Sequence, residues 1–238
     1  MATALVTGAT SGIGFEFARL LASEGYDLVI VGRDGRKLEQ KAEHLRGEFG
    51  VPVELITADL SSDRQIWMVE RRLADTRKPI HLLVNNAGYG LPARFAANTM
   101  EEEQAMLDTL VTAPMRLTHV AATTMISRGG GSIINVSSVA GWTPRSTYAA
   151  AKSYLTAFTQ AVHHESSRDG IRIMALCPGY TKTEFHQRGG FETTKLPKFM
   201  WLDASKVVAD GWSDFKRGKV ISVPGALYKL ARFVLRFQ

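Results

Sequence analysis

The chain opens with an apolar run, Ala4 to Val6, that passes directly into Thr7, Gly8, Ala9, Thr10, Ser11, Gly12, Ile13 and Gly14 and then into FEFARLLASEG. This order reads as strand, tight turn and helix. It is the most constraining feature of the sequence, because the turn has a chemical consequence as well as a structural one. Glycines let the backbone come close to a bound group, and a helix N-terminus offers unpaired N–H groups and a positive dipole end. Together they suit a pyrophosphate.

The same alternation continues along the chain. Short apolar runs near residues 3–7, 27–31, 51–57, 80–84, 132–136, 171–176 and 219–223 are expected as strands, with amphipathic helical stretches between them. Long segments near 34–49, 101–127 and 146–168 supply covering helices, and Pro114 is expected to kink or disturb the second. Continuous apolar strands imply a sheet covered on both faces, so the expected architecture is α/β with a doubly wound parallel sheet. With 238 residues and 45% hydrophobic content, the chain can bury one substantial core as a single domain. No internal repeat, low-complexity stretch or linker interrupts it.

Tyr148 and Lys152 stand at i and i+4 in the run YAAAK, and Ser138 lies ten residues before the tyrosine. That spacing puts Tyr148 and Lys152 on one helix face. A lysine ammonium near the phenol is expected to lower its pKa from about 10 towards a useful range for proton transfer. Ser138 can donate a hydrogen bond to a substrate oxygen on which charge develops. Such a set suits hydride transfer to or from a carbonyl, with Tyr148 as acid or base.

The glycine spacing GxxxGxG, the run Asn85-Asn86-Ala87-Gly88 after HLLV, and YxxxK together resemble the short-chain dehydrogenase/reductase family, over essentially the whole chain. The resemblance implies a Rossmann fold and a nicotinamide dinucleotide. It places pyrophosphate and ribose contacts on Gly8 to Gly14, including Thr10, Ser11, Gly12 and Ile13, and puts Asp59 and Leu60 beside the adenine. It further implies that Asn86, Ala87 and Gly88 support the cofactor ribose, and that Tyr148 and Lys152 also touch the cofactor. The stretch Pro178, Gly179, Thr181 and Thr183 is implied to face the nicotinamide carboxamide. A homo-oligomer, dimer or tetramer, is expected.

The second strand ends in Gly32 and Arg33, where an NAD-preferring relative would carry a carboxylate. Arg33, with Arg36 and Lys37 nearby, suits a 2′-phosphate, and Asp34 is expected to cap the next helix. The expected cofactor is therefore NADP(H). Two departures from the family pattern stand out. Leu110 occupies a position where many relatives have an asparagine that holds a proton-relay water. The interval from Ser138 to Tyr148 is about three residues shorter than is common, which costs little closure entropy; Ser137 is the alternative serine.

The expected function is an NADP(H)-dependent oxidoreductase that interconverts a ketone or aldehyde and an alcohol, on a hydrophobic carbonyl. A 3-oxoacyl thioester reductase is an alternative within enzymes. A slow or silent NADP(H)-binding sensor or scaffold is the alternative outside them, suggested by Leu110 and the short interval. Substrate choice is expected in the variable segment 184–205, where Phe185, Phe191, Leu196, Phe199, Met200 and Trp201 could form an apolar lid.

His186 in this segment could touch substrate, whereas His163, His164 and Glu165 lack the spacing of a helical zinc site and read as solvated, so no metal is implied. The lone Cys177 excludes an intrachain disulfide and reads as a buried strand-end thiol.

No leader is expected before the first strand, no run is long enough to span a bilayer, and the cytoplasm is the expected compartment. Residues 195–238 hold nine Lys/Arg and three Asp, a net of +6 that equals the charge of the whole chain. They end in the basic amphipathic tail 226–238, in which Leu227, Leu230, Val234 and Phe237 alternate with Lys229, Arg232 and Arg236. Folding over the substrate cleft or onto a neighbouring subunit is preferred for this tail over peripheral contact with an anionic membrane. No nucleic-acid platform is present.

Overall fold

The computed structural model of the protein describes residues 2–143, 145–185 and 197–235, with side chains described as far as residue 230. Strands β1 (Thr3–Thr7), β2 (Asp27–Gly32), β3 (Val53–Thr57), β4 (Leu82–Asn85), β5 (Gly131–Val136), β6 (Ile171–Leu176) and β9 (Ile221–Ser222) form one parallel sheet in the order β3-β2-β1-β4-β5-β6-β9. Each corresponds to an expected apolar run. A separate parallel ribbon, β7 (Thr181–Lys182) with β8 (Leu202–Asp203), was not expected, because two residues per strand carry no readable period.

Side chains alternate across the sheet and explain the continuous apolar strands. Ala4, Val6, Leu28, Ile30, Leu82, Val84, Ile134 and Met174 face α1 (Gly12–Ser23), α2 (Gly35–Phe49) and α7 (Ala204–Lys216). Leu5, Val29, Leu83, Ile133 and Ile173 face α3 (Asp63–Ala74) and α5 (Ala113–Ile126), with Val162 of α6 (Thr147–Ser166) against the same cluster. Each fully buried Leu, Ile or Val contributes roughly 1.5–3 kcal/mol relative to exposure. Local signals set the helix starts: Asp34 caps α2 by accepting from Lys37 N at 3.1 Å, and Ser146 caps α6 by accepting from Ala149 N at 3.1 Å.

The helical segment around Pro114 is broken as anticipated. It divides into α4 (Met100–Leu107), a π turn (Asp108–Thr112) and α5. Proline lacks an N–H, and its ring would clash with the carbonyl four residues earlier, here Leu110; the wider π turn accommodates both. The remaining helix, α8 (Ala226–Leu235), lies in the tail. No helix among the described residues is long and apolar enough to cross a membrane.

The sheet order reverses between β1 and β4, where Ala4, Leu5 and Val6 pair with Leu82, Leu83 and Val84. The crevice beyond the carboxyl ends of these strands is where ligands of such sheets bind. At the opposite edge Thr3 N donates to His81 Nδ1 at 3.0 Å, and His81 N donates to Thr3 O at 2.8 Å. Burial, and then the neighbouring Arg128 charge, hold His81 below its ordinary pKa of 6.5. The folded state thus keeps this ring neutral while the unfolded chain takes up a proton. Its stabilisation is complete above the unfolded value and fades as pH falls through the lower folded one. We expect the melting temperature to fall between about pH 7 and about pH 5 more steeply for the unmodified protein than for His81→Asn. Calorimetry of the two proteins would contradict this if the slopes were equal.

Candidate active site

The expected site residues collect at the carboxyl ends of the parallel strands. Gly8 to Gly14 follow β1, Arg33 follows β2, Asp59 and Leu60 follow β3, Asn86 to Gly88 follow β4, Ser138 follows β5, and Pro178 to Thr183 follow β6. Tyr148 and Lys152 enter from α6, whose first turns face this edge.

Thr7, at the end of β1, ties the glycine-rich turn to β4. Its hydroxyl accepts from Asn86 N at 3.0 Å and Ala87 N at 3.1 Å. Asn86 Nδ2 in turn donates to Thr7 O at 2.9 Å and Gly8 O at 3.2 Å. The Asn86 side chain therefore holds the turn in shape, a use that differs from direct support of a ribose. Asn85 points inward: its Nδ2 donates to Asn135 Oδ1 at 2.9 Å and Thr118 Oγ1 at 3.1 Å, and Asn135 Nδ2 donates to Thr159 Oγ1 at 2.9 Å. This buried polar chain joins β4, β5, α5 and α6. Sequence inspection did not find it, since isolated polar residues in apolar runs look alike until their partners are known.

The turn fits a dinucleotide on its own geometry. Ser11 occupies the N-cap of α1 without capping it through its side chain, which leaves the first-turn N–H groups for an anion. Thr183 lies across this turn, its side chain against Gly12. Thr181 is buried, with its hydroxyl donating to Gly179 O at 2.9 Å. Leu60 is likewise turned into the core. Asp59 Oδ1 accepts from Ser61 N and Oγ at 3.0 and 2.8 Å. The Arg33 side chain is 65% exposed; it lies 3.9 Å from Asp59 Oδ2, with its guanidinium carbon 5.8 Å from the centre of the Tyr89 ring. Tyr89 was not among the expected residues, although its place directly after NNAG was a usable signal.

At the other end of the crevice Ser138 heads a short 3-10 turn, Val139–Trp142, and its hydroxyl accepts from Ala140 N at 3.1 Å. Gly141 brings this turn onto α6. A Cβ there would sit 2.7 Å from Ser153 N and 2.8 Å from Lys152 C, so only glycine permits the approach. The shortened interval consequently still brings the Ser138 hydroxyl to Tyr148. Ser137 is excluded as its substitute: it is buried, hydrogen-bonded to Lys152 O and Thr156 Oγ1 at 2.7 Å each.

The electrostatics differ from expectation. Burial pushes the Tyr148 hydroxyl up to about 12, and the Ser138 hydrogen bond offsets only part of this. Lys152 is bonded to the backbone and not to the phenol. Its ammonium donates to Val136 O at 2.7 Å and stands 5.8 Å from the centre of the tyrosine ring. Burial brings Lys152 itself down to about 8, while the Cys177 thiol works against that shift. Leu110 is buried on the π turn, packed with Met106, Ala151, Tyr89 and Tyr148. A Cβ on Gly88 would lie 2.6 Å from Leu110 Cδ2 and 3.8 Å from Lys152 Nζ, so the leucine borders the space beside the lysine.

Outside this cluster, Cys177 is fully buried at the end of β6, His164 and Glu165 are exposed on α6, and His163 is half-buried. The positions of His186, Phe191 and Leu196, and the side chains of Arg232, Val234, Arg236 and Phe237, lie outside the described residues. The tail packs differently from its apolar stripe. Leu227 and Leu230 are 41% and 63% exposed, and among the described side chains of α8 the buried one is Tyr228.

The family model described as "short chain dehydrogenase" matches residues 2–190. A short-chain dehydrogenase from Sphingobium yanoikuyae, solved in complex with NADPH, is similar over 100% of this chain and 96% of its own, with 33% identity and a TM-score of 0.90. The bulky-bulky ketone specific alcohol dehydrogenase from Comamonas testosteroni is similar over 100% of this chain and 94% of its own, at 31% identity and a TM-score of 0.85. The ketoacyl reductase HetN from Nostoc is 32% identical over 213 residues, 87% of this chain and 72% of that protein. With its sheet order, glycine-rich turn and Ser138, Tyr148 and Lys152 gathered at one crevice, the chain belongs to the short-chain dehydrogenase family.

Proposed function

We propose that the protein is an NADP(H)-dependent oxidoreductase that interconverts a hydrophobic ketone or aldehyde and the corresponding alcohol. The observation that carries this reading is the meeting of Ser138 and Tyr148, with Lys152 buried one turn away on α6, in a chain whose glycine-rich turn leaves the N-terminus of α1 without a side-chain cap. When bound, the nicotinamide would supply or accept the hydride. Gly8 to Gly14 and the first turn of α1 would hold the pyrophosphate, Lys152 the ribose, and the 178–183 loop the carboxamide side.

Ser138 orients the carbonyl oxygen and Tyr148 delivers its proton. A phenol pushed to about 12 keeps that proton through the neutral range, so the proton is present for reduction, held by a weak acid. Lys152, at about 8, carries its charge at neutral pH and loses it in mild alkali. The similar Sphingobium protein, solved with NADPH, supports the cofactor class, and Arg33 supports the phosphorylated form. The segment 184–205 is assigned to substrate. The Phe185 ring lies tilted with its centre 5.6 Å from that of Tyr148, the Trp201 ring tilted at 5.8 Å from Tyr180, and the Comamonas enzyme is named for bulky ketones. A second reading, an NADP(H)-binding protein with slow or no turnover, is favoured by Leu110 beside the lysine. NADPH oxidation against a panel of carbonyls separates the two.

We expect Tyr148→Phe to lower carbonyl turnover by about 10²–10⁴-fold while NADPH affinity stays nearly unchanged; retained activity would remove Tyr148 from its role. Lys152→Ala should impair both. Because Lys152 is charged only below its pKa, kcat/KM for reduction should decline above about pH 8. A profile flat through that range would contradict it. Arg33→Ala should weaken NADPH by roughly 1.5–3 kcal/mol and leave NADH untouched. Dissociation constants of the two cofactors test this, and equal affinities in the unmodified protein would refute the preference. Across ketones of increasing chain length, kcat/KM should rise by up to about fourfold per methylene, the equivalent of about 0.8 kcal/mol. A flat or falling series would leave the apolar lid without a substrate role.

A further inference from the structure

Tyr228 is 6% exposed, and among the described side chains of α8 it is the one sunk into the protein. Its hydroxyl donates to Met200 O at 2.7 Å and accepts from Tyr180 N at 3.1 Å. Its ring lies flat on the backbone of Gly179: a Cβ there would be 2.1 Å from Tyr228 Cζ, so no other residue at 179 allows this seat. One phenol thus holds two chain segments that are about twenty residues apart in sequence.

Those two segments are the stems of the region assigned above to substrate. Leu202 N donates to Tyr180 O at 2.8 Å, and beyond that point β7 and β8 run side by side, Thr181 against Leu202 and Lys182 against Asp203. The outgoing stem leads at once to Thr183 over the glycine-rich turn and to Phe185 against Tyr148. The returning stem carries Met200 and Trp201. Tyr228 also packs with Val139 and Trp142, on the turn headed by Ser138. A displacement at the phenol therefore reaches the nicotinamide loop, the substrate segment and the serine turn together.

We propose that Tyr228 is a positioning residue of the active site: by joining Tyr180 and Met200 it sets the separation of the two stems, and thereby the width available to the carbonyl substrate. The C-terminal helix is on this view part of the substrate-binding apparatus. The claim about substrate rests on the reductase reading; the claim about the clamp does not.

The test uses the full chain with Tyr228→Phe, which keeps the ring on Gly179 and removes only the hydroxyl, and Leu230→Ser on the exposed side of the same helix as a control. Amide hydrogen exchange at Tyr180 and Leu202 should quicken about tenfold in Tyr228→Phe, with the amides of β1 and β4 unchanged. With saturating NADPH, KM should rise about tenfold for bulky carbonyls and much less for small ones, kcat staying within about twofold. Leu230→Ser should match the unmodified protein in both measurements. Unchanged exchange at Tyr180 and Leu202 would overturn the clamp. Faster exchange with KM unaltered across the size series, or a loss of activity equal for all substrates and tracking the melting temperature, would overturn the positioning role. Absence of turnover by the unmodified protein on every carbonyl would defeat the reductase reading and the substrate claim with it, while the exchange result would still decide the clamp.

Discussion

The seam between β1 and β4 organises this molecule. These two strands are neighbours in the sheet but are separated in sequence by two complete strand-and-helix units, and their pairing creates the crevice beside which the glycine-rich turn and the segment Asn86 to Gly88 lie. The seam does not end with the ladder. Where the strands diverge, the Thr7 hydroxyl continues the connection by accepting from Asn86 N and Ala87 N, and Asn86 returns two bonds to the backbone of Thr7 and Gly8. Beneath it, Asn85, Thr118, Asn135 and Thr159 join both central strands to α5 and α6. Buried polar groups are costly unless paired, so such chains fix one arrangement of elements among the many an apolar core would tolerate.

From that frame follows the character of the acid–base pair. Tyr148 and Lys152 are a turn apart on a helix pressed against β5 and β6, and burial raises the one and lowers the other. Desolvation acts on them in opposite senses because it favours the neutral form of each. The ammonium is compensated by the Val136 carbonyl, a fixed dipole that costs no reorganisation when charge develops nearby. Leu110 adds to the dryness of this corner. Its presence on a π turn forced by Pro114 shows how a single backbone irregularity determines which side chain borders the lysine.

Much of this was readable beforehand, for identifiable reasons. The seven strands of the main sheet, the cap at Asp34, the disturbance at Pro114 and the buried Cys177 all express local rules: apolar runs, a short acceptor before a helix, a missing N–H, a small thiol at a strand end. The misses share a different cause. The Asn85–Asn135 chain and Tyr228 act through partners remote in sequence, the Tyr148 hydroxyl responds to burial that only packing creates, and the ribbon β7–β8 is too short for a pattern. For the same reason the leucines of the tail suggested a buried stripe, when the residue that docks is a tyrosine whose hydroxyl finds two backbone partners.

By itself the sequence determined the class of fold, the order of its strands along the chain and the identity of the chemical groups, because periodicity, glycine placement and the Tyr148–Lys152 spacing are properties of near neighbours in the chain. Only the tertiary structure decided which serine faces the tyrosine, how far the lysine lies from it and what the C-terminal helix holds in place. Those facts depend on distances between elements brought together across the sheet. Gly141 on α6 and Gly179 under Tyr228 illustrate the difference: nothing beside either glycine in the sequence announces the close contact that each makes in the fold. Close approach of two chains far apart in sequence leaves no local pattern to read.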